Sequence, residues 1–78
     1  MWTVYILKCS DGMHYIGCTS DLDDRMKRHL SGKVPATQER LPIFLVTYIA
    51  FSEKQKAYDF ERYLKTGSGR AVMNKRLV

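Results

Sequence analysis

Two helical patterns in this chain put charge where a small domain needs apolar surface. Between Asp21 and Gly32, Leu22, Arg25, Met26 and His29 stand at i, i+3, i+4 and i+7, the spacing of a stripe that faces a core. Downstream, Ala57, Phe60, Glu61 and Leu64 repeat the spacing, again with an ionisable group inside it. Charged side chains are rarely placed on inward faces unless they are paired, bind a ligand or line a cleft. The chain therefore reads as a scaffold that brings Arg25, His29 and Glu61 to one site.

Size permits little else. Seventy-eight residues make one domain, 1–78, with room for one modest core. No apolar run approaches the roughly 18 residues of a membrane span. Lys8, Ser10 and Asp11 interrupt the N-terminal apolar stretch early, so no signal peptide or membrane partner is expected and the setting reads as cytoplasmic. Cys9 and Cys18, the two cysteines, read as free thiols, and no close Cys or His pairs suggest structural zinc. Thirteen Lys and Arg against 8 Asp and Glu leave a formal +5, a balance that favours a polyanionic partner. The acids Asp21, Asp23 and Asp24 sit early, whereas Arg62, Lys65, Arg70, Lys75 and Arg76 crowd the last third.

Trp2–Lys8 is rich in β-branched and aromatic residues and predicts a strand; Ser10-Asp11-Gly12 supplies a turn, and Met13–Ile16 the returning strand. A three-residue loop places Leu7 opposite Tyr15, and strand alternation then puts Tyr5 and Tyr15 on one face. Gly17 leaves room for close backbone approach. Ser20 to Asp23 resembles a capping box that starts a helix near Asp21, with Gly32 ending it. Lys33–Pro42 reads as a loop. Ile43–Phe51, an almost unbroken apolar run, predicts the central strand, covered on both sides. Ser52 is expected to cap the next helix, with Gln55 in the reciprocal position. That helix runs to about Lys65, where Gly67-Ser68-Gly69 breaks it, and Ser68 caps a last short helix, 70–77. The order β-β-α-β-α-α predicts an α+β fold: a small three-stranded, mainly antiparallel sheet flanked by helices.

Val4-Tyr5-Ile6, followed by Tyr15-Ile16-Gly17, resembles the paired signature of the GIY-YIG nuclease family. Arg25 lies eight residues past that glycine, His29 one turn on, and Glu61 in a later helix, all matching further motif positions. The run Glu61-Arg62-Tyr63-Leu64-Lys65 and then Asn74 also resemble the end of this domain in the incision subunit of bacterial nucleotide-excision repair. Val4 stands where the signature's first glycine would be. The resemblance covers essentially the whole chain, which leaves no separate recognition domain.

Phosphodiester hydrolysis needs an activated water, neutralised phosphoryl charge and help for the leaving oxygen. Arg25, a permanently charged planar fork, suits the phosphoryl group; the alternative is a packed Arg paired with Asp21. Glu61 is the one carboxylate suited to a metal, and a hydrated Mg²⁺ or Mn²⁺ held by a single Glu is what the resemblance implies. The alternative is a Glu61–Arg25 ion pair between helices. The resemblance also implies a tyrosine general base. Tyr5 is favoured, with Tyr15 orienting water or phosphate; His29 competes for the role or donates to phosphate. Lys33 and Asn74 are candidate phosphate contacts, beside the basic Arg62, Lys65, Arg70, Lys75 and Arg76. His14 points away from the tyrosine face and receives no role. The function expected is a metal-dependent endonuclease acting on DNA, in repair or recombination. A non-catalytic nucleic-acid-binding module and a subunit of a larger assembly, including a homodimer, are the alternatives.

Overall fold

The computed structural model describes all 78 residues. Three strands, β1 (Trp2–Lys8), β2 (His14–Thr19) and β3 (Phe44–Phe51), form one antiparallel sheet in the order β2-β1-β3. Helix α1 (Leu22–Leu30) lies between β2 and β3 in sequence, and α2 (Lys54–Leu64) and α3 (Gly67–Val72) follow β3. The chain closes in a single π-helical segment, Met73–Leu77, pinned to the sheet where the Thr47 hydroxyl donates to the Leu77 carbonyl. The α+β order is as the sequence predicts.

The hairpin register places Leu7 opposite Tyr15 and Tyr5 opposite Gly17, and the Cys9 amide donates to the Met13 carbonyl at 2.9 Å across the three-residue loop. Gly12 adopts φ +81°, the left-handed conformation that closes this turn at no steric cost. Both cysteines are free and buried.

Alternation along the strands gives the sheet two covered faces. Val4, Ile6, Ile16 and Cys18 pack against Ala57, Leu64 and Met73 from the C-terminal helices. Tyr5, Leu7 and Cys9 pack with Ile43, and Tyr15, Leu22 and Met26 close over them from the α1 side. The inward stripe of α1 is the one its spacing predicts: Leu22, Arg25 and Met26 are half-buried and His29 is wholly buried.

Four details differ from expectation. The central strand is β1, paired on both sides, and β3 is an edge strand with Phe44 64% and Tyr48 60% exposed. Apolar continuity marks strand propensity, but long-range pairing decides which strand lies inside. Asp21, one residue after Ser20, caps α1, its carboxylate accepting from the Asp24 amide at 3.0 Å. Ser52 does not cap α2: the helix starts after Glu53 with no side-chain cap, and Gln55 donates instead to Asp59. Lastly, Gly67 and Gly69 lie inside α3, which Thr66, not Ser68, caps by accepting from the Gly69 amide at 3.1 Å. A Cβ on Gly69 would overlap the backbone of Tyr63 and Leu64, so this glycine permits the tight α2–α3 corner.

Candidate active site

Tyr5 comes from the central strand, Tyr15 from the edge strand β2, and Arg25 and His29 from α1, all on one side of the sheet. Their rings cluster: Tyr5 and Tyr15 centroids are 6.3 Å apart, Tyr5 and His29 5.6 Å, and Tyr15 and His29 5.2 Å. The Tyr5 phenol crosses beneath β2 at Gly17, where an added Cβ would overlap its ring and hydroxyl. Gly17 thus makes room for the Tyr5 ring, which is the reason a glycine stands in this buried strand. Val4, at the departed signature position, is buried on the opposite face among the core residues, so its side chain serves packing.

Tyr5, His29 and Thr37 have no exposed surface. The Tyr5 hydroxyl and His29 Nε2 are 2.9 Å apart, and His29 Nδ1 and the Thr37 hydroxyl 2.7 Å. Burial pushes the Tyr5 phenol up to about 12; the Arg25 guanidinium works against this, and the Tyr15 and Glu61 charges add to it. Burial, with the Arg25 charge second, holds the His29 imidazole below its ordinary value. Of the three candidate bases, Tyr15 is the one with solvent access.

Glu61 stands half-buried on α2. Burial raises the Cys18 thiol, and the Glu61 charge is the next cause, opposed by Arg25. The charges of Arg25 on α1 and Glu61 on α2 are thus both felt at Tyr5 and at Cys18. The four ion pairs of the molecule are Arg28–Asp24, Arg40–Asp11, Lys56–Glu53 and Lys65–Glu61. Arg25 belongs to none, so neither Asp21 nor Glu61 explains its half-buried position.

Beside Tyr15 opens a groove of about 420 Å³, lined by Met13, His14, Tyr15, Ile16, Lys65, Arg70, Met73 and Asn74. It brings together Lys65, Arg70 and Asn74 of the predicted phosphate contacts. Lys33, Arg62, Lys75 and Arg76 lie outside it on exposed surface. His14, given no role from sequence, lines its wall. Thr37 was not visible in the sequence as a site residue, since a threonine in an aperiodic loop carries no signal of its partner.

No group of three or more His, Cys, Asp or Glu side chains forms a metal cage. Glu61 nevertheless suits a hard, largely hydrated cation: its side chain is 18% exposed and only Oε2 is engaged, by the Lys65 ammonium at 3.2 Å. A hydrated Mg²⁺ takes one or two carboxylates and completes its shell with water and phosphate oxygens. The residues fit such an ion.

The model of the GIY-YIG catalytic domain matches residues 1–76. The chain belongs to the GIY-YIG family. Its sequence is 46% identical over 63 residues to the UPF0213 protein BH0048 of Halalkalibacterium halodurans, covering 80% of this chain and 67% of that protein. The UPF0213 protein YazA of Bacillus subtilis is 40% identical over 62 residues, 78% of this chain and 63% of its own length. The solution NMR structure of UPF0213 protein BH0048 from Bacillus halodurans superposes with a TM-score of 0.61 at 38% identity, covering 96% of this chain and 84% of that one. The chain thus spans about two thirds of the length of these sequence relatives, and what it shares with them is a GIY-YIG nuclease domain. No helix is long and apolar enough to cross a membrane.

Proposed function

We propose that this GIY-YIG domain is a divalent-metal-dependent endonuclease that hydrolyses phosphodiester bonds in nucleic acid, with DNA the expected substrate and repair or recombination the expected setting. The observation that carries this reading is Arg25: a half-buried guanidinium with no acid partner, one helical turn before His29, which clusters with Tyr5 and Tyr15.

Arg25 holds two non-bridging oxygens of the scissile phosphate through its planar fork. Tyr15 meets the attacking water, because Tyr5 and His29 are sealed from solvent. Glu61 would hold Mg²⁺ or Mn²⁺, which supplies positive charge against the phosphoryl oxygens and eases deprotonation of water. Lys65, Arg70 and Asn74 in the groove carry the backbone of the strand leading to the site. Lys65 also pairs with Glu61 Oε2, which leaves Oε1 open to a cation. One site of this kind cuts one strand; a double-strand cut takes a second copy or a second encounter.

The test is cleavage of labelled DNA and RNA of several structures with Mg²⁺, Mn²⁺ or EDTA, for the wild type beside Arg25→Ala and Glu61→Ala. Metal-dependent cutting that disappears in both variants, with nucleic-acid binding kept in Glu61→Ala, is the expected result. Cutting unchanged in Glu61→Ala would sink the assignment. Salt-sensitive binding without cutting on any substrate would assign the chain as a binding module instead.

A further inference from the structure

Strand β3 has a neighbour on one side only, and its outer row of backbone N–H and C=O groups bonds to nothing else in the chain. Such an edge is a template for another strand, and monomeric proteins guard it with charge, proline or a bulge. Here the guard is slight. Leu41 to Ser52 is the longest stretch of the chain without a charged side chain, and no proline lies within the strand. What remains is one register shift against β1 at Ile6/Leu7, which leaves Val46 without a partner. Past it, Thr47–Phe51 pairs regularly with Trp2–Ile6.

Alternation divides that run between two faces. Thr47, Ile49 and Phe51 are half-buried on the α2 side, which they share with Val4 and Ile6. Tyr48 and Ala50, opposite Tyr5 and Thr3, stand open on the α1 side. Phe44, Leu45 and Val46 carry the exposed apolar strip beyond the bulge.

The chemistry of this edge selects its occupant. A polyanion would be held by Lys and Arg, and the strip has none. A second copy of a +5 chain can approach closely only where it meets no like charge, and β3 is such a place. Antiparallel pairing of Thr47–Phe51 with itself also fits in shape. Each Tyr48 falls opposite the Ala50 of the other copy, a large ring beside a methyl group, with Ile49 on the two-fold axis.

We propose that β3 is a self-association edge, through which two copies of this chain join antiparallel into one six-stranded sheet. The two-fold axis then stands perpendicular to the sheet, so both α1 sides, with their candidate sites, face the same way. The association itself does not depend on the nuclease reading.

Area sets its strength. With Phe44 64% and Tyr48 60% exposed, the two rings offer roughly 250 Å² a copy, or about 500 Å² across the pair. Leu45 and Val46 add to this, yet the total stays below the roughly 1,200 Å² of a standard stable interface. The dimer is therefore reversible, with a dissociation constant on the order of 10–100 μM.

The experiment is sedimentation velocity of the whole chain from about 5 to 500 μM, with ¹⁵N amide spectra over the same range. Wild type is compared with Tyr48→Lys and with Leu30→Lys, a control at an exposed apolar residue of α1. Wild type and Leu30→Lys should pass from monomer to dimer, with amide shifts centred on β3. Tyr48→Lys, which sets a charge on the shared edge, should raise the dissociation constant at least tenfold while circular dichroism and Tm stay unchanged. A wild-type chain still monomeric at the highest concentration would overturn the proposal. So would a dimer that Tyr48→Lys leaves intact, or one that Leu30→Lys weakens equally. If DNA, in place of a second copy, shifts the β3 amides of the monomer, the edge belongs to substrate and the proposal fails. No readout uses cleavage, so a chain that dimerises but cuts nothing overturns the nuclease reading alone.

Discussion

On the α2 side of the sheet, Val4, Ile6, Ile16 and Cys18 meet Ala57, Leu64 and Met73 in an interior without a charged or hydrogen-bonding side chain at its centre. On the α1 side, the same strands present Tyr5, Leu7 and Cys9 to Ile43, Leu22 and Met26, with His29 and Thr37 buried among them. The first interior is apolar throughout; the second seals a hydroxyl–imidazole–hydroxyl chain. No buried side-chain nitrogen or oxygen lacks a partner, which is the condition that makes the second interior tolerable. Under the proposed nuclease reading, the chemistry lies on the α1 side, and Glu61 is the contribution of the apolar side to it.

The sharpest break of this division is at the α2–α3 corner. Gly69→Ala should cost about 3 kcal/mol or more, because the new methyl meets the backbone of Tyr63 and Leu64, which cannot move aside as a flexible side chain can. Denaturant titration measures it, and a variant as stable as wild type would remove the close-approach argument.

The next effect compares the faces directly. Leu64→Ala should lose about 3 kcal/mol from the wholly buried apolar side, and Met26→Ala, half-buried on the α1 side, about 1 kcal/mol. Equal losses would show that the α1 side carries as much of the stability as the other.

Gly17→Ala should act on activity more than on the fold. The added methyl strikes the Tyr5 ring and hydroxyl, so Tyr5 must leave its bond to His29; cleavage should fall by about 100-fold, as expected for a displaced site group. A Gly17→Ala enzyme with wild-type kcat/KM would mean that Tyr5 is not held where the reaction needs it.

The smallest effect is on pH dependence. His29 is held below its ordinary value near 6.5, so the unfolded chain binds more protons as the pH falls through that value. Stability is then full above about pH 6.5 and declines below it, down to the pKa in the fold. Comparing denaturation at about pH 7.5 and 5.5 should show a decline that His29→Gln lacks. An identical decline in both proteins would assign the acid sensitivity to other groups.

Much of this layout is legible in local sequence. The hairpin register follows from loop length and alternation, and the inward placing of Arg25, His29 and Glu61 follows from helical spacing. These are short-range regularities, repeated every two or 3.6 residues, so a linear pattern carries them. Strand order is another matter. The run Ile43–Phe51 is more apolar than Trp2–Lys8, yet β1 takes the centre because it pairs with both neighbours, and pairing partners are not written in a strand's own composition. The role of Gly69 is likewise decided by neighbours, the backbone of Tyr63 and Leu64 pressing on it.

By itself, then, the sequence determined the family, the order of elements and the residue types that converge on the β2 edge. Only the tertiary structure decided that Tyr5 and His29 are sealed while Tyr15 keeps solvent access, that Arg25 has no acid partner, and that Thr37 sits behind His29. The physical reason is common to all three. Burial and hydrogen-bond partnership depend on which side chains arrive from distant parts of the chain, here α1, the Lys33–Pro42 loop and α2, and no periodicity within one segment encodes the arrival of another.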